Sequence, residues 1–194
     1  MTFADILSLR RSCRDYSNAA ITRDDLEGVL WVAQGVTGSG GKRTVPSAHA
    51  LYPTRMLVVA GNVEELEPGL YHGYDTPSGM LSPILIDDLR AELEAAALDD
   101  QPWIGKAAAI VIVTADFSAA REAFADQPPR GERGDRYVWI EAGSMAQNMY
   151  LQAADAGLGG VVVVGFDDVA VASSLRLSRP WEPVLLFCLG VPAE

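Results

Sequence analysis

Two segments far apart in the chain carry the residue types that could do chemistry. Residues 10–14 place three arginines within five positions, in a protein whose formal net charge is -11. A guanidinium group is a rigid fork of donors that matches a phosphate bidentately, so the cluster indicates an anion site. Residues 157–168 read as the end of a helix, a buried strand and a turn at Gly165. A planar ligand can approach the backbone closely where glycine removes the Cβ atom. A phosphate site together with a platform for a flat ring suggests a flavin.

Other interpretations of the polar residues stay open. Arginine is also favoured at the solvated C-terminus of a helix, where its charge faces the negative end of the helix dipole. Cys13, between arginines, fits a small core-facing residue better than a reactive thiol. His49 and His72 lie far apart and lack neighbouring ligands, which argues against a metal site. No Ser/His/Asp triad, P-loop or carboxylate pair can be assembled, so the catalytic residues stay unassigned.

The composition limits the class of protein. With 194 residues, of which 49% are apolar, the chain is long enough for a single domain over residues 1–194 with a sizeable core. Its 26 acidic and 15 basic residues argue against a nucleic acid or an anionic membrane as partner. The sequence starts without a signal-peptide pattern and its apolar runs are too short to span a bilayer, so we expect a cytoplasmic protein.

Hydrophobic periodicity, turn residues and the helix caps that Thr2 and Thr22 offer predict the elements that position these segments. Helices are predicted at residues 2–9, 22–34, 86–98 and 136–156, with a short one near 168–175; strands are predicted at residues 55–60, 69–74, 107–115, 161–166 and 184–190, and briefly at 80–81. The run 107–115 is continuously apolar, which is typical of a central strand buried on both faces. Residues 117–135 are polar and contain Pro128-Pro129, so we expect an exposed excursion there. The order of elements predicts an α+β fold.

The helix predicted at residues 136–156 is apolar along two adjacent stripes. One contains Val138, Ala142, Met145, Met149, Ala153 and Ala156, and the other contains Trp139, Gly143, Ala146, Tyr150 and Ala154. Glu141 belongs to a narrow polar row opposite them. A helix that is apolar over two stripes must be covered on two sides. We expect a second subunit to supply one of the covers.

Five motifs in chain order resemble the nitroreductase-like family of FMN-dependent oxidoreductases. They are Arg-Arg-Ser-x-Arg at residues 10–14, Pro-Ser-Ala at 46–48, Gly-Leu-Tyr-x-x-Tyr at 69–74, Ala-Gly-x-x-x-Gln-Asn at 142–148, and Gly-Leu-Gly followed by Gly-Phe-Asp within 157–167. The third motif is similar to the SagB-type branch, whose members oxidise azolines in the biosynthesis of peptide natural products. The resemblance covers nearly the whole chain.

The resemblance implies a nitroreductase-like fold, with a central mixed sheet flanked by helices, and a homodimer with FMN at its interface beside the long helix. By motif, Arg10, Arg11, Ser12 and Arg14 would hold the phosphate, ribityl chain and pyrimidine edge of FMN; Pro46, Ser47 and Ala48 would reach the flavin from the other subunit; the backbone of Val164 and Gly165 would hydrogen-bond its N5–O4 edge. Arg10 or Arg14 would also stabilise the anionic reduced ring.

Two departures from the family pattern affect this expectation. The Pro-Ser-x motif of the family usually continues with Gly or Asn, whereas this chain has His49 and Ala50. The family commonly ends with basic residues that clamp the phosphate, whereas Gly190 is followed here by Val-Pro-Ala-Glu. Loss of one charge-assisted pair would weaken FMN binding about tenfold to a hundredfold.

Three functions are compatible with these features. The first is ping-pong hydride transfer from NAD(P)H through FMN to a nitroaromatic, a quinone or a similar small-molecule acceptor. The second is a SagB-type dehydrogenase that oxidises azoline or peptide-derived rings. The third is a dimeric module without turnover, in which flavin binding is weak or lost.

Overall fold

The computed structural model describes residues 1–74 and 81–193, in which one six-stranded sheet separates two layers of helices. The strands are β1 Thr54–Ala60, β2 Gly69–His72, β3 Pro83–Leu85, β4 Ala109–Asp116, β5 Gly159–Val163 and β6 Trp181–Gly190; the helices are α1 Phe3–Leu9, α2 Arg23–Gln34, α3 Arg90–Ala95, α4 Trp103–Lys106, α5 Phe117–Ala123, α6 Arg133–Asp155 and α7 Asp168–Ser174. The strand order is β3-β2-β1-β4-β6-β5, and neighbouring strands run antiparallel. Within the described residues, parallel pairing comes from isolated bridges that join Ser12 to Gly160 and Ile21 to Val63.

Strand β4 lies in the middle of the sheet, between β1 and β6. Its side chains alternate between the two faces, as a strand requires. Val111 and Val113 belong to the core on one face, Ile110 and Ile112 to the core on the other, and all four are fully buried. The prediction of a central strand buried on both faces is confirmed.

The two faces of the sheet are covered by different helices. On one face, α2 and α6 bury apolar side chains that include Leu26, Leu30, Met145 and Met149. On the other face, α3, α4 and α7 bury Leu93, Ile104 and Val171. A helix–sheet–helix arrangement around an antiparallel sheet is an α+β fold, as predicted.

Helix starts follow the side chains that the sequence offers as caps. The Thr2 hydroxyl accepts a hydrogen bond from the Asp5 amide at 3.2 Å, and the Asp5 carboxylate accepts one from the Thr2 amide at 2.9 Å. Thr22 caps α2 through the Asp25 amide, and Asp167 caps α7 through its own carboxylate. Each cap satisfies a backbone donor that the first helical turn leaves without a partner.

Helix α6 is the longest element and begins three residues before the predicted start. It is followed by Gly157, whose φ of 71° is a left-handed conformation that glycine adopts without strain. Glu141 departs from the expected polar row, because only 3% of it is exposed and it lies among partners from α2 and β1. In residues 1–74 and 81–193, no helix combines the length and the apolar character needed to cross a bilayer.

Two predicted segments differ from the structure. Residues 117–135 are not an excursion throughout, because α5 starts at Phe117, is capped by Asp116 and buries Phe117 and Ala120. The helix predicted at residues 86–98 is shorter at both ends, and α3 covers Arg90–Ala95 alone. The brief strand predicted at residues 80–81 begins in a part of the chain outside the described residues; β3 follows it from Pro83.

Candidate functional site

Residues 10–14, which we call the arginine segment, run alongside β5. The Cys13 amide donates a hydrogen bond to the Gly160 carbonyl at 2.9 Å, and Ser12 forms a parallel bridge with Gly160. A Cβ atom on Gly159 would lie only 2.6 Å from the Cβ of Cys13, so glycine permits this approach. The structure therefore brings together the two segments that the sequence singled out, and β5 is an edge strand that can receive them.

Tyr150 of α6 ties the arginine segment to the sheet. Its hydroxyl accepts a hydrogen bond from the Val162 amide at 2.9 Å and lies 3.3 Å from the Ser12 hydroxyl. The Arg10 guanidinium lies over the Tyr150 ring, 5.2 Å from its centre. The sequence placed Tyr150 in an apolar stripe, and its polar role follows only from the position of β5 beside α6.

The three arginines carry charges that no acidic side chain of the described residues neutralises. Within residues 1–74 and 81–193, none of Arg10, Arg11 and Arg14 takes part in an ion pair. Arg11 donates to the Arg10 carbonyl at 2.8 Å, and the Arg14 guanidinium lies 5.3 Å from the centre of the Trp103 ring. A cleft of about 280 Å³ is lined by Arg11, with Tyr150, Leu158, Gly159 and Gly160 among the other lining residues. An unneutralised guanidinium group at a cleft is what an anionic ligand needs.

Val164 and Gly165 follow the C-terminal end of β5, whereas the arginine segment pairs with Gly160 near its start. Val164 is 68% exposed, although its neighbours in β5 are mostly buried. The Gly165 carbonyl accepts hydrogen bonds from the Leu98 amide at 2.8 Å and from the Gln101 side chain at 3.0 Å. Both lone pairs of that carbonyl are thus used, which leaves the Gly165 N–H group as its contribution to a ligand.

Residues 46–53, which we call the Pro-Ser loop, contain the predicted contacts Pro46, Ser47 and Ala48 and lie in a different place from the arginine segment. The Ser47 hydroxyl accepts a hydrogen bond from the Tyr52 amide at 2.8 Å. His49, Ala50 and Tyr52 have φ angles of 52°, 53° and 48°, a left-handed conformation that is unfavourable for residues with a Cβ. The His49 ring packs on Phe124, 5.1 Å away.

A buried polar network lies under this loop. Arg43 donates to Gln34, Gln34 donates to Thr54, and Thr54 donates to Glu141, each at a distance of 2.5 Å. The Ser47 hydroxyl also faces the Glu141 carboxylate. Burial raises the pKa of Glu141, and the hydroxyls of Ser47 and Thr54 and the charge of Arg43 oppose that rise. No local sequence pattern indicates this network, because its members come from three separate parts of the chain.

The network and the arginine segment contact different parts of α6. Glu141 and Tyr150 are nine residues apart, which corresponds to about 13 Å along a helix. The two groups of predicted flavin contacts therefore lie at separate places on one protomer. That the Pro-Ser loop reaches the flavin of a second subunit stays a prediction.

Other polar groups have structural partners. Asn148 donates to the Val32 carbonyl and Ser144 to the Ile140 carbonyl, each at 2.9 Å. Cys188 is fully buried, which raises the pKa of its thiol to about 12, and Cys13 donates to the Asp15 carbonyl at 3.2 Å. Nowhere in the described part of the chain do three or more His, Cys, Asp or Glu side chains gather as metal ligands would.

Comparison with known proteins identifies the family and the fold. The sequence profile of the Nitroreductase family matches residues 7–191. The chain belongs to the nitroreductase family. It is 36% identical to the nitroreductase-like protein MJ1384 of Methanocaldococcus jannaschii over 190 residues, which cover 98% of this chain and 91% of that protein. The predicted family resemblance and nitroreductase fold are confirmed, and the family makes the protein an oxidoreductase.

Three further comparisons show similar proteins. The Escherichia coli microcin B17-processing protein McbC is 28% identical over 142 residues, which are 71% of this chain and 50% of McbC. A nitroreductase-like structure from Ralstonia eutropha superposes with a TM-score of 0.81 at 28% identity, covering 100% of this chain and 84% of that one. The E. coli microcin synthetase McbBCD complex matches with a TM-score of 0.78 at 24% identity, over 95% of this chain and 70% of that one, and shares the fold.

Proposed function

We propose that this nitroreductase-family oxidoreductase binds FMN and transfers hydride from NAD(P)H to a small-molecule acceptor such as a nitroaromatic or a quinone. The observation that carries the proposal is the arginine segment, because its three guanidinium groups have no acidic partner in the described residues and Arg11 lines a cleft. Gly159 and Gly160 also line the cleft, and the space that their Cβ atoms would take is filled by Cys13 and Phe187. The charge of Arg11 at this cleft fits a phosphate.

Each group of residues has a distinct task in the proposed site. Arg10, Arg11, Ser12 and Arg14 would hold the phosphate, ribityl chain and pyrimidine edge of FMN, and the backbone at Val164 and Gly165 would meet its ring. When bound, FMN supplies the group that accepts and returns a hydride. No side-chain acid or base is assigned, because hydride transfer to the flavin requires none.

A homodimer is the second part of the proposal. Large apolar side chains are exposed on three helices: Phe3, Leu7 and Leu9 in α1, Trp31 in α2, and Trp139 and Ile140 in α6. Such a concentration of exposed apolar surface is typical of a surface that another protein covers. A second subunit placed there would also bring its own Pro-Ser loop towards the site. The mass of the protein in solution, measured by light scattering, tests this part.

FMN and riboflavin, which lacks the phosphate, test the site when each is titrated into flavin-free protein. We expect FMN to bind at least about tenfold more tightly, since one charge-assisted hydrogen bond contributes about 1.5–3 kcal/mol. Arg10→Ala should remove most of this difference. Arg23→Ala is the control, because that guanidinium pairs with Glu27 at 2.8 Å on α2. A protein that binds no FMN contradicts the proposal and favours the dimeric module without turnover.

The similarity to McbC favours a second candidate, the oxidation of azoline or peptide-derived rings. The two candidates differ in the source of the electrons. Steady NAD(P)H consumption by the FMN-loaded protein with menadione or a nitrofuran supports the first. Bleaching of the flavin by a thiazoline substrate without NAD(P)H supports the second and contradicts the first.

A further inference from the structure

Glu141 is the one buried carboxylate in the described residues, and nothing in the proposed chemistry uses it. It lies on α6 under the Pro-Ser loop, with Thr54 at the start of β1 on one side and Ser47 on the other. A carboxylate is almost never buried without partners that compensate for the loss of water. Here the partners are the hydroxyl groups of Thr54 and Ser47 and the side-chain amide of Gln34, and Ser47 belongs to the loop itself.

The hydroxyl of Ser47 connects the carboxylate to the loop backbone. It faces Glu141 and accepts a hydrogen bond from the Tyr52 amide at 2.8 Å. This bond spans the residues whose φ angles are positive, His49, Ala50 and Tyr52. Such a backbone persists only where surrounding contacts hold it.

Arg43, the arginine of the buried polar network, also contacts the Pro-Ser loop. Arg43 donates to Gln34, and its guanidinium lies 4.8 Å from the centre of the Tyr52 ring. The contacts therefore run from the Tyr52 ring to Arg43 and on through Gln34, Thr54 and Glu141. They return through Ser47 to the Tyr52 amide. A closed chain of this kind fixes one loop conformation, because each buried member would lose its partner if the loop moved.

We propose that Glu141 is a positioning residue that holds the Pro-Ser loop, through Ser47 and Thr54, in the conformation in which the loop meets the flavin. This inference rests on the proposed FMN site. Glu141 itself touches no part of that site in its own protomer, and it acts through the Ser47 hydroxyl and the backbone that follows.

The test compares Glu141→Ala with Glu141→Gln and with Val138→Ala, a variant that trims a fully buried apolar side chain on the same helix. The first measurement is hydrogen–deuterium exchange over residues 48–53 in flavin-free protein. We expect Glu141→Ala to speed exchange there at least about tenfold, because the Thr54 hydroxyl loses its acceptor and the Ser47 hydroxyl loses the carboxylate that it faces. Glu141→Gln keeps an acceptor oxygen and should stay within about threefold of the wild type, as should Val138→Ala.

The second measurement is the dissociation constant of FMN. Glu141→Ala should raise it at least about tenfold, while Glu141→Gln restores it and Val138→Ala leaves it within about threefold even though the protein is less stable. The inference is overturned if Glu141→Ala and Val138→Ala behave alike in both measurements. If the wild type binds no FMN, the proposed function fails, and the exchange measurement still decides whether Glu141 holds the loop.

Thr54→Val covers the case in which Glu141→Ala does not fold. It removes one of the two hydroxyl donors to Glu141 and keeps the shape of the side chain. Exchange over residues 48–53 should rise at least about threefold, since the remaining bonds hold the loop less firmly. Unchanged exchange in this variant overturns the inference.

Discussion

The arginine segment and the Pro-Ser loop are both outside the regular elements, yet they are held in opposite ways. The arginine segment is attached by its backbone, through the bond from the Cys13 amide to Gly160, and its charged side chains remain free of acidic partners in the described residues. The Pro-Ser loop is attached by side chains, through Ser47 to the buried carboxylate of Glu141.

In the arginine segment, the groups that hold the backbone in place are therefore different from the groups that are available to a ligand. Backbone attachment leaves three guanidinium groups available for an anion, because none of them is needed to hold the segment in place. Side-chain attachment makes the loop depend on one ionisable group, whose state changes with pH. Steric changes near β5 should therefore disturb the first region, and changes of charge on α6 should disturb the second.

Gly159→Ala should have the largest effect, because it breaks the backbone attachment of the arginine segment. The added methyl group would lie 2.6 Å from the Cβ and Sγ atoms of Cys13 and 3.2 Å from Pro192. Overpacking of this kind costs about 1–3 kcal/mol of unfolding free energy. We expect this loss in urea unfolding, together with weaker FMN binding.

Gly38→Ala is the matched control for that substitution. A Cβ on Gly38 meets only the aliphatic part of Lys42, at 3.9 Å or more. A surface change of this kind stays within about 0.5 kcal/mol. Equal stabilities of the two variants would contradict the steric account of the attachment.

Tyr16→Phe should have a smaller effect on the same region. The Tyr16 hydroxyl donates to the Cys13 carbonyl at 2.9 Å and to the Cys188 carbonyl at 3.2 Å, so it joins the arginine segment to β6. Burial raises the pKa of this phenol, so it stays a donor at ordinary pH. Its removal should lower the unfolding free energy by about 1 kcal/mol. Tyr71→Phe is the control, because the Tyr71 hydroxyl donates to the carbonyl of Glu67, a residue that is exposed to water.

The parts of the fold that local patterns determine were predicted from the sequence. The apolar run of β4 and the caps at Thr2 and Thr22 depend on neighbouring residues alone. Helix α5 was missed because residues 117–135 are polar overall, and only the contacts of Phe117 and Ala120 with the core favour a helix there.

The candidate site was also predicted only in part. The motif of the arginine segment is visible in the sequence, but its attachment to Gly160 depends on a sheet that forms from distant residues. Glu141 was placed in a polar row, since a carboxylate is rarely buried and the periodicity of α6 offers no sign of Gln34 or Thr54. Long-range polar contacts of this kind have no local sequence signal.

The smallest effect should come from the charge of Glu141, and pH reveals it. Because burial raises the pKa of Glu141 in the folded protein, the folded state holds this proton more firmly than the unfolded state does. The contribution of Glu141 to stability is therefore greatest below its ordinary pKa and declines as pH rises through the folded pKa. Glu141→Gln has no such proton, so its melting temperature relative to the wild type should rise between about pH 4 and about pH 7. The groups that face Glu141, namely Arg43, Ser47 and Thr54, stabilise the carboxylate and keep this rise small. A difference that stays constant with pH, or that falls, would contradict a buried carboxylate under the Pro-Ser loop. The same scan on Arg10→Ala should run parallel to the wild type, because the arginine segment depends on no titrating side chain for its attachment.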